Sequence, residues 1–522
     1  MEFEPVVGLE IHVELATKTK LFCGCLNRFS QVPNSQACPV CLGLPGSLPV
    51  VNQQAVLLLL KTGLALNCKI PEKTKFDRKN YFYPDMPKNY QISQYDLPLA
   101  RDGKLEFMFK NEKRWVRIER IHLEEDTGKS VHVSHSKAYL SSTVTIAASK
   151  EPLSDLNKLN ISPPERSVLG ARIAEADYTL LDYNRAGIPL MEIVTKPDLR
   201  SPEEAVLFLQ KLRTIIQTIE SSPCKMEEGQ MRCDANVSLR EKGSETLGVK
   251  VEIKNMNSFK SIRDALQHEI ERQGKALLKG EKVYQETRGW DETQKITFVM
   301  RSKEYAHDYR YFPEPDLPPL EISVKWLEEI KTSLPELPDA KEKRYREAYG
   351  LSDDEIQGFI VSPPLAEFFD EAVKIGGSPK EVCNWLKGDV SKYLNEKKCE
   401  ITVTKLSPSL LVELIGLIEK GVINGKTAKD LLVEILEKGA PANSLAALIQ
   451  SRGLAQISDS DFLQGVLKEI LEKPESKKAV DEYKQGNERA FGFLVGEVMK
   501  KTKGKANPHK VNQMLKERLE KS

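Results

Sequence analysis

The sequence contains no long apolar run. No stretch approaches the ~20 apolar residues that a membrane-spanning helix needs, and residues 1–5 (MEFEP) carry neither the basic flank nor the apolar centre of a secretory signal. We therefore expect no membrane association and a cytoplasmic protein, or one of an organellar matrix or stroma if the chain is a processed form. Because thiols stay reduced in such compartments, the nine cysteines need an explanation other than disulfide bonds.

The chain also has almost no excess of charge of either sign. Its formal net charge is +1 over 522 residues, so any affinity for RNA has to come from local basic surfaces and not from a global positive field. Hydrophobic residues make up 40% and charged residues 29% of the chain, as in globular proteins that bury substantial cores. The length suggests three or four domains.

Complete nucleotide-binding fingerprints are missing as well. Residues 421–427 (GVINGKT) resemble a phosphate-binding loop, but three residues separate the two glycines where that loop requires four. The segment also joins two predicted helices, whereas a phosphate-binding loop follows a strand. If the protein uses ATP, the site is of a different kind.

Short alternating runs are typical of the N-terminal part. In residues 7–15 (VGLEIHVEL), apolar residues alternate with Glu10 and His12, which predicts a strand with one buried and one polar face. A similar run at 233–240 is followed by a glycine-containing turn and a third run at 249–254. These two runs predict a hairpin.

Helix-start signals are most frequent after about residue 320. A capping box at Ser201 opens an earlier helix, and serine–proline pairs open further helices at Ser378 and Ser407. The helix from Ser407 is predicted to stop at Gly421. We therefore predict an α+β fold, with a mixed-sheet domain first and helical domains after it.

Two segments rich in loop-forming residues mark the predicted domain boundaries. One is the proline-rich stretch 312–319, and the other is the polar link 395–398. We predict three domains, which cover residues 1–300, 301–405 and 406–522.

Four of the cysteines form two closely spaced pairs, Cys23 with Cys25 and Cys38 with Cys41. Two such pairs on neighbouring loops can supply four thiolates at tetrahedral geometry, which suits a structural zinc ion. The alternative is four free cysteines that only happen to be close in sequence. A closed four-thiolate site would fold a loop and would not catalyse.

Carboxylates and histidines are concentrated in a few short segments: Glu10 with His12, residues 122–126 (HLEED), and residues 182–192, which end at Glu192. Hard oxygen ligands with a histidine are what Mg²⁺ bound to nucleotide phosphates requires. Ordinary surface charge explains any one of these residues taken alone, and sequence alone does not show that they converge.

Several longer motifs resemble those of one family. The B subunits of the heterotrimeric aspartyl/glutamyl-tRNA amidotransferases (the GatB family) have similar motifs, and the resemblance covers nearly the whole chain. The matching stretches are residues 7–15, 38–46, 76–91, 184–187, 231–238, 301–304 and 490–496.

The resemblance implies a cradle-shaped N-terminal domain with an ATP and Mg²⁺ site, an all-helical domain and a small helical tail similar to YqeY proteins. It implies an ATP-dependent phosphorylation of the side-chain carboxylate of Glu-tRNA(Gln), Asp-tRNA(Asn) or both. Ammonia from a glutaminase A subunit then displaces the phosphate, and a small C subunit completes a heterotrimer. The chain itself lacks the glycine-rich serine and lysine arrangement of an amidase, so glutamine hydrolysis belongs to a partner.

The resemblance also implies roles for individual residues. The implied Mg²⁺ and catalytic set is Glu10, His12, Glu125 and Glu192. Residues facing the substrate and the ammonia path are Lys79, Tyr81 and Lys88. The zinc ligands are Cys23, Cys25, Cys38 and Cys41. Tail lysines expected to meet tRNA phosphates are Lys500, Lys501, Lys503 and Lys505. Simple alternation places Glu125 opposite His122 and Glu124, so a bulge or turn is needed to aim it at the others.

One stretch departs from the expected pattern. The chain from Lys129 to Asp182 is longer than the short loop expected of the family, and we interpret it as an insertion at the edge of the cradle. Such an insertion either contacts tRNA or is a plain surface loop.

Two other functions compete with an ATP-dependent amidating enzyme. A zinc-stabilised RNA-binding scaffold has no use for a carboxylate cluster that repels phosphate. A ligase acting on a free small acid has no need of a basic tail.

Overall fold

The computed structural model describes residues 2–133, 178–302, 308–439, 444–456, 460–484, 487–502 and 506–520. The chain divides into two compact units, Met1–Pro338 and Asp339–Ser522. The three-domain division at residues 300 and 405 stays a prediction. No helix in the described ranges combines the length and the apolar character needed to cross a lipid bilayer.

The first unit combines strands with a few helices. Its strands are β1 (Phe3–Glu14), β2 (Lys73–Thr74), β3 (Asp77–Asn80), β4 (Tyr90–Ser93), β5 (Ala100–Phe109), β6 (Glu112–Glu125), β7 (Lys129–Val133), β8 (Tyr178–Asp182), β9 (Pro189–Thr195), β10 (Met231–Glu241), β11 (Val251–Lys254), β12 (Glu286–Asp291), β13 (Ile296–Ser302), β14 (Phe312–Pro313) and β15 (Leu320–Glu321). Its helices are α1 (Pro39–Leu42), α2 (Gln53–Ala65), α3 (Pro202–Thr218), α4 (Phe259–Leu278) and α5 (Val324–Ser333).

An eight-stranded sheet dominates the described part of this unit. Its strand order is β13-β12-β11-β10-β1-β9-β6-β5, and it is mixed because β11 and β12 run parallel while the other neighbours are antiparallel. Smaller sheets join β14-β3-β4, β15-β2 and β7-β8. The predicted α+β class is confirmed.

The central strand β1 shows why one face of the sheet is buried. Leu9, Ile11 and Val13 are at most 1% exposed, whereas Glu10 and His12 between them are only partly buried. The buried face belongs to a core that also contains the apolar sides of α2, α3 and α4. The alternation predicted for residues 7–15 is confirmed, and it leaves the opposite face of the sheet free for polar chemistry.

Two further local predictions are confirmed. Strands β10 and β11 pair antiparallel, with Val237 opposite Val251, as the predicted hairpin requires. Helix α3 begins after Ser201, whose hydroxyl accepts a hydrogen bond from the Glu204 N–H at 3.1 Å. The Glu204 carboxylate accepts from the N–H of Arg200 at 2.7 Å, so the reciprocal bond of the capping box is displaced by one residue.

The second unit is helical throughout its described residues. Its helices are α6 (Pro338–Tyr349), α7 (Asp353–Ile360), α8 (Pro363–Lys374), α9 (Pro379–Trp385), α10 (Ser391–Lys397), α11 (Pro408–Glu419), α12 (Gly425–Lys438), α13 (Leu445–Ser451), α14 (Ser460–Leu471), α15 (Pro474–Lys484), α16 (Glu488–Lys501) and α17 (Pro508–Glu520). A π-helical turn at Leu386–Val390 and a 3₁₀ turn at Ile401–Val403 interrupt the series.

Two separate cores stabilise these helices. One contains buried residues between Tyr345 and Ile449, and the other contains residues between Leu463 and Leu519. Helices begin after Ser378 and Ser407, as predicted. The loop-like segment 421–427 connects α11 to α12, with Gly421 in the left-handed region at φ +65°, so its interpretation as a helix connection is confirmed.

Candidate active site on the polar face of the sheet

Three neighbouring strands bring acidic and imidazole side chains together on the polar face of the large sheet. His12 on β1 lies opposite Glu192 on β9, and Glu192 lies opposite His122 on β6. Because alternate residues of a strand share a face, Glu10 and Glu124 project to the same side. We call these five residues the carboxylate–histidine cluster.

The side chains of the cluster approach each other closely. The Nε2 atom of His12 lies 3.5 Å from an oxygen of Glu192, 3.6 Å from Glu124 and 3.8 Å from Glu10. The Nε2 atom of His122 lies 3.4 Å from Glu192 and 3.7 Å from Glu124. Glu192 therefore stands between the two imidazoles.

Most of the cluster is inaccessible to water. His122, Glu124 and Glu192 are 3–4% exposed, and burying a carboxylate is costly unless a cation compensates it. The Nδ1 atom of His122 is a buried atom with no hydrogen-bond partner among the described residues. Such a concentration of buried polar groups is expected at a site that binds charged ligands.

The charges of the cluster perturb one another. Burial opposes ionisation of Glu192, but the nearby His122 and the hydrogen bond from His12 hold the pKa of Glu192 below its usual range. Burial disfavours the charged imidazole of His12, yet its hydrogen bond to Glu192 and the charges of Glu192 and Glu124 raise the pKa of His12 to about 9. Burial and the neighbouring Glu192 raise the pKa of Glu10.

Cationic side chains border the cluster. The Nζ atom of Lys79 lies 4.0 Å from a Glu124 oxygen and 5.1 Å from the ring centre of Tyr309. An Nη2 atom of Arg120 lies 3.7 Å from Glu192. Carboxylates for a divalent cation and neighbouring cations for phosphate oxygens are the groups that a phosphoryl-transfer site requires.

Two groups of ligand atoms in the cluster have spacings that suit a metal ion. One consists of Glu10, His12 and Glu192, the other of His122, Glu124 and Glu192, and within each group the ligand atoms lie within 4.8 Å of one another. The donors are carboxylate oxygens and imidazole nitrogens, a set that fits Mg²⁺ or Mn²⁺ with additional water ligands.

Glu125 lies elsewhere, as strict alternation along β6 requires. Its carboxylate forms an ion pair with Lys88 and accepts a hydrogen bond from the Ile92 N–H at 2.8 Å. No bulge re-aims it toward His12 and Glu192: the register irregularity of β6 against β9 lies at Ile118 to Arg120. The structure thus brings together Glu10, His12 and Glu192 of the sequence-derived set but not Glu125.

The residues that sequence reasoning left out of that set are His122 and Glu124. Their signal was present, because His122 and Glu124 are spaced by two along a strand, as Glu10 and His12 are. What the sequence does not contain is the register that places β6 two strands from β1.

The three residues expected near the substrate and the ammonia path do not share one set of neighbours. Lys79 borders the cluster, whereas Lys88 contacts Glu125. Tyr81 stacks on Tyr83 with ring centres 4.9 Å apart. Burial raises the pKa of Tyr81 to about 12, so its hydroxyl stays protonated at neutral pH.

Lys88 and Glu125 line a cavity of about 190 Å³. Its wall also includes Cys23, Cys41 and Gly187. The cavity therefore lies between the Lys88–Glu125 ion pair and the cysteine-bearing loops.

The four paired cysteines converge. The sulfur atoms of Cys23, Cys25, Cys38 and Cys41 all lie within 4.8 Å of one another, and none forms a disulfide bond. The Cys38 N–H donates to the Cys41 sulfur at 3.0 Å. A hydrogen bond from Cys23, helped by the ammonium of Lys20, lowers the pKa of Cys41, which favours the thiolate form that a metal ligand requires.

The predicted tRNA-facing lysines fall partly inside the described ranges. Lys500 and Lys501 end helix α16. Lys500 is 82% exposed and lies 3.9 Å from Glu497, and Lys501 pairs with Glu469. Lys503 and Lys505 lie outside the described residues.

The chain matches two family profiles and a series of known relatives. The profile of the GatB/GatE catalytic domain matches residues 5–160 and 166–328, and that of the GatB domain matches residues 367–519. The chain is 47% identical over 520 residues to the B subunit of the aspartyl/glutamyl-tRNA(Asn/Gln) amidotransferase of Carboxydothermus hydrogenoformans, in an alignment that covers 100% of this chain and 99% of the relative. The corresponding B subunit of Thermodesulfovibrio yellowstonii is 47% identical over 515 residues, and that of Moorella thermoacetica is 47% identical over 519. Each of these two alignments covers 99% of this chain and 99% or more of the relative.

These matches correct one expectation. The stretch from Lys129 to Asp182 is no insertion, because the catalytic-domain profile matches all of it except residues 161–165. Relatives also align with this chain over nearly their whole length. Residues 134–177 lie outside the described part of the chain, so tRNA contact and a plain surface loop both stay hypotheses for this stretch.

Both domains of the family match this chain, and its relatives align with it over nearly their full length. The chain belongs to the GatB family, the B subunits of the aspartyl/glutamyl-tRNA(Asn/Gln) amidotransferases.

Proposed function

We propose that this chain carries the ATP-dependent activation step of a tRNA-dependent amidotransferase at its carboxylate–histidine cluster. The substrate would be the side-chain carboxylate of Glu-tRNA(Gln), Asp-tRNA(Asn) or both, and the products Gln-tRNA(Gln) and Asn-tRNA(Asn). The observation that carries the proposal is the convergence of Glu10 and His12 with the buried Glu124 and Glu192 beside Lys79.

The chemistry requires two balanced steps. A carboxylate oxygen of the aminoacyl group attacks the γ-phosphorus of ATP, the bond to the β-phosphate oxygen breaks, and an acyl phosphate and ADP form. The ammonia nitrogen then attacks the acyl carbon, the carbon–oxygen bond breaks, and phosphate leaves with formation of the amide. A carboxylate is a poor acyl donor, whereas an acyl phosphate carries a good leaving group.

The cluster supplies what the first step needs. Glu10, Glu124 and Glu192, with His12 and His122, would hold Mg²⁺, which screens the phosphate oxygens when bound. Lys79 lies at the margin of the cluster, 4.0 Å from Glu124, where its ammonium can contact the transferred phosphoryl group or the substrate carboxylate. Burial of His122, Glu124 and Glu192 would limit the access of water to the acyl phosphate.

Glu125 and Lys88 would serve the second step. They line the cavity of about 190 Å³. Because successive residues of a strand point to opposite faces, this cavity meets β6 on the face opposite Glu124, one residue further along the strand. We assign Glu125, with Lys88, to the ammonia path and not to metal binding, and Tyr81 to the substrate side.

The remaining assignments concern partners and stability. A glutaminase A subunit would release the ammonia, and a small C subunit would complete a heterotrimer in the cytoplasm. Zinc bound by the four converging cysteines would stabilise the loops around the cavity. The lysines at the end of α16 would attract tRNA phosphates without reading sequence.

The test is tRNA-dependent release of phosphate from γ-labelled ATP by the chain assembled with A and C subunits and Mg²⁺. Glu-tRNA(Gln), Asp-tRNA(Asn), uncharged tRNA and free glutamate are compared. Release with misacylated tRNA only is expected, and it identifies the substrate. Equal release with free glutamate would mean a small-molecule ligase, and no release with any of the four would leave an RNA-binding scaffold.

A further inference from the structure

One lysine of the first unit is fully buried. Lys20 is 0% exposed and ranks among the largest completely buried side chains of the described residues. A buried ammonium is costly unless a negative charge lies near it. Its surroundings should therefore contain such a charge.

The contacts of the Lys20 ammonium point to sulfur. Its Nζ atom donates to the carbonyl oxygen of Gln36 at 2.7 Å and to that of Tyr183 at 3.4 Å. It also lies 3.8 Å from the Cys41 sulfur. The two carbonyl groups satisfy hydrogen bonds but carry no net charge, whereas a cysteine sulfur that binds a metal is a thiolate.

The position of Lys20 is built into the cysteine-bearing turn. Its backbone N–H donates to the carbonyl oxygen of Cys25 at 2.9 Å, next to an antiparallel bridge between Thr19 and Leu26. Gly187, at φ +86°, packs over the lysine stem, since a Cβ there would lie 3.5 Å from Lys20 Cδ and 3.4 Å from Cys41 Cβ. The backbone and the stem of Lys20 are thus both fixed beside the cysteine-bearing loops.

The expected charge of a zinc site at these cysteines explains why a lysine lies beside it. Four thiolates around Zn²⁺ leave a net charge of −2 in a partly buried site, and a lysine ammonium beside one sulfur halves it. We propose that Lys20 is the internal counter-ion of the tetrathiolate zinc site and fixes the Cys41 thiolate in place. This inference rests on the proposed zinc binding and concerns a positioning residue, not a catalytic one.

The experiment compares Lys20→Met with wild type and with Lys18→Met, a matched control because Lys18 is an exposed lysine on the same segment. Zinc content per full-length chain is measured first. The rate of zinc transfer to a colour-forming chelator and the melting temperature with and without zinc follow. Lys20→Met is expected to bind zinc about 10–100-fold more weakly, the usual effect of losing an outer-shell partner, and Lys18→Met to be unchanged.

The melting temperatures with and without zinc show whether Lys20 acts as a counter-ion or only as a hydrogen-bonding structural residue. As a counter-ion, Lys20 stabilises the zinc-loaded chain far more than the zinc-free chain, so Lys20→Met lowers the melting temperature mainly when zinc is bound. Equal losses with and without zinc would overturn the proposal, and so would an unchanged rate of zinc transfer. Wild-type protein without zinc bound through these cysteines would instead refute the proposed zinc site itself.

A second variant covers the case in which Lys20→Met fails to fold. Lys20→Gln keeps a hydrogen-bond donor of similar reach but removes the charge. Faster zinc transfer in Lys20→Gln, with recovery in Lys20→Arg, supports the counter-ion. Wild-type zinc retention in Lys20→Gln would show that the hydrogen bonds matter and the charge does not.

Discussion

Replacement of Glu124 by glutamine tests whether the adjacent carboxylates of Glu124 and Glu125 have the different roles proposed for them. Glu124→Gln preserves the shape of the side chain and the hydrogen bond from Ser93, whose hydroxyl lies 3.2 Å from Glu124, but it removes one negative charge from the cluster. The matched control is Glu125→Gln, one residue further along the same strand, where the side chain contacts Lys88 instead.

The magnitude follows from the geometry. The charges of Glu124 and Lys79 are 4.0 Å apart and largely buried, so their interaction is about 4 kcal/mol at an effective dielectric constant of about 20. A loss of that size in the transition state corresponds to about 10³-fold in rate, close to what removal of one preorganised electrostatic group costs in other enzymes. We expect Glu124→Gln to lower tRNA-dependent phosphate release by about 10²–10³-fold.

The assay measures phosphate release and amide formation in parallel, with Glu-tRNA(Gln) or Asp-tRNA(Asn) as substrate. Glu125→Gln should still release phosphate but form less amide from glutamine, because ammonia delivery and not activation is impaired. The reverse result, with phosphate release lost in Glu125→Gln and kept in Glu124→Gln, would refute the division of roles between the two carboxylates.

Three other perturbations test separate parts of the molecule. Cys25→Ser should lower the melting temperature by several degrees relative to the zinc-loaded wild type, and chelators should no longer destabilise this variant. An unchanged melting temperature would mean that no stabilising metal binds to these cysteines. Asp126 is paired with Arg232 at 2.9 Å and with Arg185 at 3.3 Å. These cations hold the pKa of Asp126 below its usual value against the effect of burial. The contribution of Asp126 to the stability of the fold should therefore be complete above about pH 4 and be lost as the pH falls through the lowered pKa. Urea unfolding between pH 5 and pH 2 should therefore depend less on pH in Asp126→Asn, and identical profiles would contradict this. Alanine at both Lys500 and Lys501 should weaken tRNA binding and reduce the slope of log K against log salt by about one unit per lysine, whereas an unchanged slope would place the tRNA elsewhere.

Local features of this fold could be predicted well from the sequence. Alternation in residues 7–15 correctly identified the polar face that carries Glu10 and His12. Alternation along residues 122–125 placed Glu125 on the face opposite His122 and Glu124, which agrees with its contacts to Lys88 and Ile92. The helix starts after Ser201 and Ser407 were also correct, because capping depends on residues close in sequence.

Long-range features could not be predicted in the same way. Glu192 and His122 are separated from His12 by more than 100 residues, and only the order β1-β9-β6 and its register bring them together. A shift of one residue in register would exchange Glu124 for Glu125. The resemblance supplied the family but assigned Glu125 to the metal site, and it also suggested an insertion that the relatives do not support.

An isotope-transfer experiment can show whether the side-chain carboxylate is activated as an acyl phosphate. Glu-tRNA(Gln), or Asp-tRNA(Asn), is labelled with ¹⁸O in the side-chain carboxylate and converted by the assembled enzyme with ATP, Mg²⁺ and glutamine. If the carboxylate is phosphorylated first, one labelled oxygen will appear in the inorganic phosphate for each amide formed. Unlabelled phosphate accompanying full amide formation would contradict this mechanism.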